Sequence, residues 1–307
     1  MALIAVTGAS GFIGRQFQLH CSERGHEVRV IARCDLERGG AHSYAGANAV
    51  VHLAARAHVL DETEINSVEA YRRANVELTQ RVFLDSLAAG VKRFVFMSSA
   101  GVLGNASPPA GFTDDSPTSP HDEYSRSKVD AERWLLAHRD DGVVKVLVRP
   151  PLVHGPGARG NFGRIVRAAE RGYPLPVGGL YARRGMVGVR NLCDFTLVAA
   201  LDPRAVTSTY LVSDEQTLSV RELTIALRQL FGRTGRVPWV PASVLAALLR
   251  VLGRGADAAR LTQPFELQPT RARKTFGWRP PYTCAQELSW AVEQIARPDD
   301  YPDSSGG

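Results

Sequence analysis

Thr7-Gly8-Ala9-Ser10-Gly11-Phe12-Ile13-Gly14 decides how the rest of the chain is read. It follows the apolar run Leu3 to Thr7, which reads as a buried strand, and opens the run Phe12 to Arg24, which reads as a helix. At this spacing the first glycine permits a tight turn, the second lets a pyrophosphate approach the backbone, and the third lets helix pack closely on sheet. The helix start then offers free N–H groups and a positive dipole end to phosphates. Gly8, Ser10, Gly11, Phe12, Ile13 and Gly14 are therefore expected to hold a dinucleotide.

Further apolar runs follow at Val28 to Ala32, Ala49 to Leu53, Arg93 to Met97 and Val143 to Val148, with helical segments at Val68 to Ala89 and Glu123 to His138. Strands alternating with helices predict a doubly wound parallel α/β sheet of the Rossmann type. Residues 1–160 form this nucleotide-binding domain, and segments near 186–213 are expected to return to its sheet. Residues 161–297 form a smaller α/β substrate-binding domain, with helices at Phe162 to Arg171, Leu192 to Leu201, Val220 to Phe231, Ser243 to Leu252 and Ala285 to Ala296. The polar stretch 298–307 reads as a disordered tail. About fifteen residues separate Arg33 from Ala49, too few for a βαβ crossover. The third strand is thus expected to be missing, with Ala49 to Leu53 on the far side of the first strand and Val28 to Ala32 at an edge.

The end of the second strand bears on the cofactor. A domain selective for NAD carries Asp or Glu there, but this chain has Ala32 followed by Arg33. Arg33 either pairs with a 2′-phosphate or is an exposed loop residue; the first favours NADP(H), with NAD(H) as the alternative. The 307 residues carry 44% hydrophobic and 22% charged side chains and a net charge of +6, which suits a soluble enzyme with an anionic substrate. No basic run or nucleic-acid module appears. The four cysteines are scattered, so no metal ligand set or disulfide framework is expected, and a reducing cytoplasm fits. No basic leader precedes the first strand, and no apolar run is long enough to span a bilayer. Val244 to Leu252 is read as a packed helix rather than a membrane contact.

Tyr124 and Lys128 stand four apart on a helix and share a face. A nearby ammonium lowers a phenol's pKa, so the pair can exchange a proton with a carbonyl or alcohol. Ser99, at the end of the fourth core strand, can donate to the same oxygen. With the glycine turn, His52-Leu53-Ala54-Ala55, Asn75, Ser98-Ser99-Ala100, Tyr124 to Lys128 and Arg149-Pro150, the chain resembles the extended short-chain dehydrogenase/reductases, including UDP-sugar 4-epimerases. The resemblance implies that Ser99, Tyr124 and Lys128 form a catalytic triad, that Asn75 belongs with them as a structural residue, and that Leu53, Ala54 and Ala55 line the cofactor alongside Tyr124 and Lys128. It also implies a nucleotide-sugar substrate and a homodimer through the helices Val68 to Ala89 and Glu123 to His138.

The second half extends the likeness. Asn161, after Gly160, resembles the family's diphosphate-contacting turn, Val177 its uracil-bracketing segment, and Arg184 its phosphate-binding arginine. The stretch Arg260 to Pro281, ending in Lys274 to Pro281, resembles the C-terminal end of bacterial sugar-nucleotide modifying enzymes, most of all the 4-ketoreductases that make UDP-N-acetylquinovosamine or its fucosamine epimer, and so implies a role in O-antigen precursor synthesis. The chain departs from the family in lacking the Asp-bearing strand before His52. His154 and Gly188 also stand where aromatic residues are common. Ala100 and Gly101 replace the acidic residues that a dehydratase places after Ser99. The expected reaction is NADPH-dependent reduction of a sugar 4-ketone. A 4-epimerase is the alternative, and a catalytically silent NADP(H) sensor is the alternative of another class.

Overall fold

The computed structural model describes residues 1–56, 64–139, 142–158, 160–253 and 255–296; the expected tail 298–307 lies outside them. The first half runs β1 (Leu3–Thr7), α1 (Phe12–Glu23), β2 (Glu27–Ile31), α2 (Arg33–Arg38), β3 (Ala49–His52), α3 (Glu64–Tyr71), α4 (Leu78–Ala88), β4 (Arg93–Met97), β5 (Phe112–Thr113), α5 (Glu123–Ala137), β6 (Val144–Arg149) and β7 (Leu152–His154). There follow α6 (Asn161–Glu170), β8 (Arg183–Arg184), β9 (Met186–Gly188), α7 (Val189–Leu201), β10 (Ser208–Leu211), β11 (Leu218–Ser219) and α8 (Val220–Leu230). The chain closes with α9 (Ala242–Val251), α10 (Gly255–Thr262), β12 (Leu267–Gln268), α11 (Arg271–Phe276) and α12 (Cys284–Ile295).

Six parallel strands form the main sheet in the order β10-β6-β4-β3-β1-β2. Alternate side chains serve its two faces. Val95 and Met97 of β4 join Phe17 of α1 and Phe195 of α7 in one core, while Phe94 and Phe96 join Phe83 of α4 and Leu135 of α5 in the other. Both faces being covered explains why the strands read as unbroken apolar runs rather than alternating ones. A further core of Phe162, Val166, Leu223, Leu227 and Leu288 binds α6, α8 and α12 together.

No strand lies between Leu36 and Asn48. β3 pairs with β1 on the side away from β2, with Thr7 opposite His52, so β2 is the edge. The short segment is more ordered than a plain loop. It holds α2 and a 3₁₀ turn at Ala41–Tyr44, with Tyr44 buried in the core and Arg29 of β2 donating to the Ala45 carbonyl at 2.7 Å. This segment covers the open edge in place of a third strand.

Two expectations need revision. Of the segments expected back in the main sheet, Ser208–Leu211 pairs with β6, whereas Met186–Gly188 pairs with Leu152–His154 in a separate two-stranded sheet. The helix read as packed, α9, is mostly exposed: Ala246 is its one buried residue, and its apolar ridge faces outward. Apolar periodicity reports a helix's amphipathic stripe but not whether anything covers it. No helix among the described residues is long and apolar enough to cross a membrane.

Candidate active site

The glycine turn is built as its spacing requires. Gly8 has φ +71°, and a β-carbon there would lie 2.5 Å from the Ala54 nitrogen. One on Gly14 would lie 2.3 Å from the Gly8 carbonyl, so the helix can approach the turn only without a side chain. Gly11 precedes α1, and no side chain caps that helix start. Phosphate oxygens would find its first N–H groups there. Leu53 and Ala54 sit against the turn, their N–H groups donating to the carbonyl and hydroxyl of Thr7 at 3.1 and 3.3 Å. Uncapped N–H groups beside glycines that leave no room for a β-carbon fit the pyrophosphate of a nicotinamide dinucleotide.

Beneath this turn, a buried polar chain joins the sheet to α5. Thr79 donates to the Asn75 carbonyl at 2.7 Å, so its oxygen accepts from His52 Nε2 at 3.0 Å. His52 Nδ1 then accepts from the Thr7 hydroxyl at 2.7 Å. Burial, then Lys128, depresses the imidazole to a pKa of about 3, so it stays neutral in this tautomer. Asn75 sits in a π-helical turn, Arg72–Glu77, between α3 and α4. It accepts from the Arg56 N–H at 2.8 Å and donates to the Arg56 carbonyl and to Ser127 Oγ at 3.1 and 2.9 Å. Ser127 in turn donates to the Tyr124 carbonyl at 2.7 Å. Asn75 thus ties the segment after Ala55 to α5; its role in this geometry is positional.

α5 starts at a capping box, with Asp122 accepting from the Ser125 N–H at 2.8 Å. Tyr124 lies in its first turn and Lys128 one turn on. Lys128 Nζ donates to the Met97 carbonyl at 2.8 Å and lies 4.6 Å above the Phe96 ring. Burial lowers its pKa to about 7, opposed by Glu132. Tyr124 moves the other way: burial, then Asp122 and Tyr71, raises it to about 12. The expected lowering by Lys128 does not appear: desolvation leads, and the neighbouring charges that act on the phenol raise it further. Ser99, at the end of β4, accepts from the Gly101 N–H at 3.1 Å.

Ser99 and Tyr124 line a cavity of about 380 Å³. Asn161, at the start of α6, and Arg184 line it too, as does Arg260, which the sequence reading did not single out. Arg184 donates to the Gln263 carbonyl at 2.8 Å and lies over the Phe265 ring; burial, then Arg260, lowers its pKa to about 10, and it remains charged at neutral pH. Arg260 pairs with Asp122 at 3.1 Å and so reaches the cap of α5. A guanidinium on α10 carries no local sequence signal, because only the fold brings α10 to α5.

Other expected residues stand apart from this cavity. Val177 is buried but not on the wall; its segment packs on Pro238, whose carbonyl accepts from the Gly178 N–H at 2.9 Å. Arg33 is 92% exposed in its side chain and pairs with Glu37 at 3.1 Å. His154 is fully buried, 3.1 Å from Asp214, and Gly188 leaves room for Glu287, 2.2 Å from where a β-carbon would stand. Neither faces the sugar end. His154, Asp214 and Cys284 gather donor atoms within 4.8 Å, but Asp214 already accepts from the Gly188 N–H and from Asn191, and burial pushes the Cys284 thiol up to about 12. That cluster is a hydrogen-bonded joint between β7, β9, α7 and α12.

The sequence pattern of the NAD dependent epimerase/dehydratase family matches residues 4–212. A UDP-glucose 4-epimerase of Vibrio cholerae is 35% identical over 241 residues, covering 76% of this chain and 72% of that one. The fold matches that of the Thermotoga maritima UDP-glucose 4-epimerase with UDP-glucose (TM-score 0.78, 21% identity, 96% and 99% of the two chains). It also matches RMD from Pseudomonas aeruginosa complexed with NADPH (TM-score 0.73, 21% identity, 95% and 98%). At such identities the two structures speak for the fold alone.

Proposed function

We propose, for a chain that belongs to the NAD-dependent epimerase/dehydratase family, hydride chemistry at C4 of a UDP-linked sugar, with NADPH-dependent reduction of the 4-ketone as its physiological direction. One observation carries this: Ser99, Tyr124, Arg184 and Arg260 line a single cavity. The guanidinium groups suit a diphosphate, and the hydroxyls suit a sugar oxygen. Gly8, Gly11 and Gly14 with the start of α1 would hold a nicotinamide dinucleotide, which would supply the hydride chemistry. Tyr124, kept protonated by burial, donates a proton to the C4 oxygen, and Ser99 polarises it. Lys128 lies one turn behind, poised to change protonation near neutrality. The absence of a carboxylate at Ala32, with Arg33 next to it, supports NADP(H). Lys274 to Pro281 supports surface-polysaccharide precursor synthesis as the setting.

The second reading is a UDP-sugar 4-epimerase using NAD. The Vibrio cholerae relative favours it, and so does Asp35, whose carboxylate turns back to the Ala32 N–H at 3.2 Å and places an acid beside the strand end. In either reading residues 1–160 hold the cofactor and 161–297 the substrate, in a cytoplasmic homodimer. The deciding experiment supplies UDP-4-keto sugar with NADPH or NADH, and separately supplies UDP-sugar without reductant. Oxidation of NADPH supports the reductase; interconversion of 4-epimers without net cofactor consumption replaces it with the second reading. Tyr124→Phe should slow either reaction at least ~100-fold, the scale of general acid catalysis. Near-normal turnover in that variant would move the acid elsewhere.

A further inference from the structure

Helix α9 turns its apolar side outward. Val244, Leu248 and Val251 lie at i, i+4 and i+7 on one face and are 55%, 54% and 84% exposed; Leu252 continues the stripe at 63%, and Trp239, just before the helix, is 64% exposed. Single exposed apolar residues are ordinary, but four on one helix face mark an interaction surface. The segment that carries it bears charges of one sign. Residues 231–255 contain Arg233, Arg236, Arg250 and Arg254 and no Asp or Glu, and Arg233, Arg236 and Arg250 are exposed.

We propose that this face binds the surface of an anionic lipid bilayer. A helix of ten residues is about 15 Å long, half a hydrocarbon core, so it lies in the interface and does not cross it. An apolar stripe bordered by arginine, with tryptophan at one end, is the composition that settles at the headgroup boundary. A second copy of the chain is a poorer occupant. A two-fold interface sets the same patch against itself, and this one would bring arginines together without a carboxylate to offset them. The face also adjoins the active site. α9 packs on α10, which carries Arg260 and Leu261 of the cavity wall. Docking by α9 therefore holds the substrate cavity beside the membrane, a location beyond the proposed reaction itself.

Sedimentation with vesicles tests this, using the full chain with phosphatidylglycerol–phosphatidylcholine vesicles and with phosphatidylcholine alone. Binding is expected to the anionic vesicles and to weaken with salt. Arg236→Gln and Arg250→Gln should each weaken it about five-fold, the effect of one basic residue at an anionic surface. The double variant Leu248→Glu/Val251→Glu should lose at least about ten-fold through lost apolar burial, with its melting temperature and its turnover in solution unchanged. No binding to anionic vesicles, or equal binding by the double variant, overturns the proposal. So does a double variant that changes oligomeric state when the wild type shows no vesicle binding, which would make the face a contact between copies.

Discussion

Burial acts on Lys128 and Tyr124 in opposite directions because it penalises whichever form is charged: it lowers the ammonium to about 7 and raises the phenol to about 12. The lysine has a consequence for stability. Between pH 7 and 9 the unfolded chain keeps a proton that folded Lys128 releases, so stability gained from this residue rises with pH. Below pH 7 the folded state carries the full cost of the buried ammonium. Lys128→Met removes the titration. Denaturant unfolding of both proteins should therefore show wild type gaining on the variant by about 2 kcal/mol from pH 7 to pH 9. Cys21 and Cys284, both raised to about 12, act oppositely above pH 9 but equally in both proteins. A constant difference across the window would mean that Lys128 titrates at its ordinary value. The Tyr–Lys spacing was readable from residues alone; the direction of the tyrosine's shift was not, because desolvation depends on neighbours distant in sequence.

Elements meet through charges that no motif advertises. Arg149, at the end of β6, makes a two-pronged pair with Glu132 of α5, with nitrogen–oxygen distances of 2.9 and 2.6 Å, and both side chains are buried. The pair locks α5 to the strand beside β4. Glu132→Ala should cost ~3–5 kcal/mol in denaturant unfolding, since it strands a buried guanidinium, whereas Glu132→Leu/Arg149→Met should recover most of that loss. If the single variant loses under about 1 kcal/mol, the pair is not what fixes α5. The π-helical turn around Asn75 belongs to the same scale: its sequence shows only helical periodicity, and the extra backbone spacing is visible only where Asn75 reaches both Arg56 and Ser127.

For the whole molecule, α4 and α5 pack side by side, with Phe83 edge-on to Trp134 at 5.8 Å, and leave Leu84 and Leu136 exposed, as is Val68 on α3. These residues are on the helices through which the family resemblance implies a dimer, and they are separate from α9. Leu84→Glu/Leu136→Glu should convert a dimer to a monomer in sedimentation velocity while the helical circular dichroism is retained. An unchanged sedimentation coefficient would place the contact elsewhere. The shortened edge also acts at this scale. With α2 and the Tyr44 turn covering β2 in place of a third strand, the main sheet ends at β2.

The order of strands and helices, the glycine turn and the missing third strand were determined by the sequence, because each depends on local spacing: apolar runs, the reach of a crossover, and positions where a β-carbon has no room. The same spacing marked Ser99, just past the end of β4, and Tyr124 and Lys128, one turn apart on α5. Only the tertiary structure brought Arg260 to Asp122, Glu132 to Arg149 and Glu287 under Gly188, and only it left α9 uncovered. Those are contacts between elements far apart in the chain, or the lack of one. Burial and charge there are set by what packs against a residue, a property its own stretch of sequence does not carry.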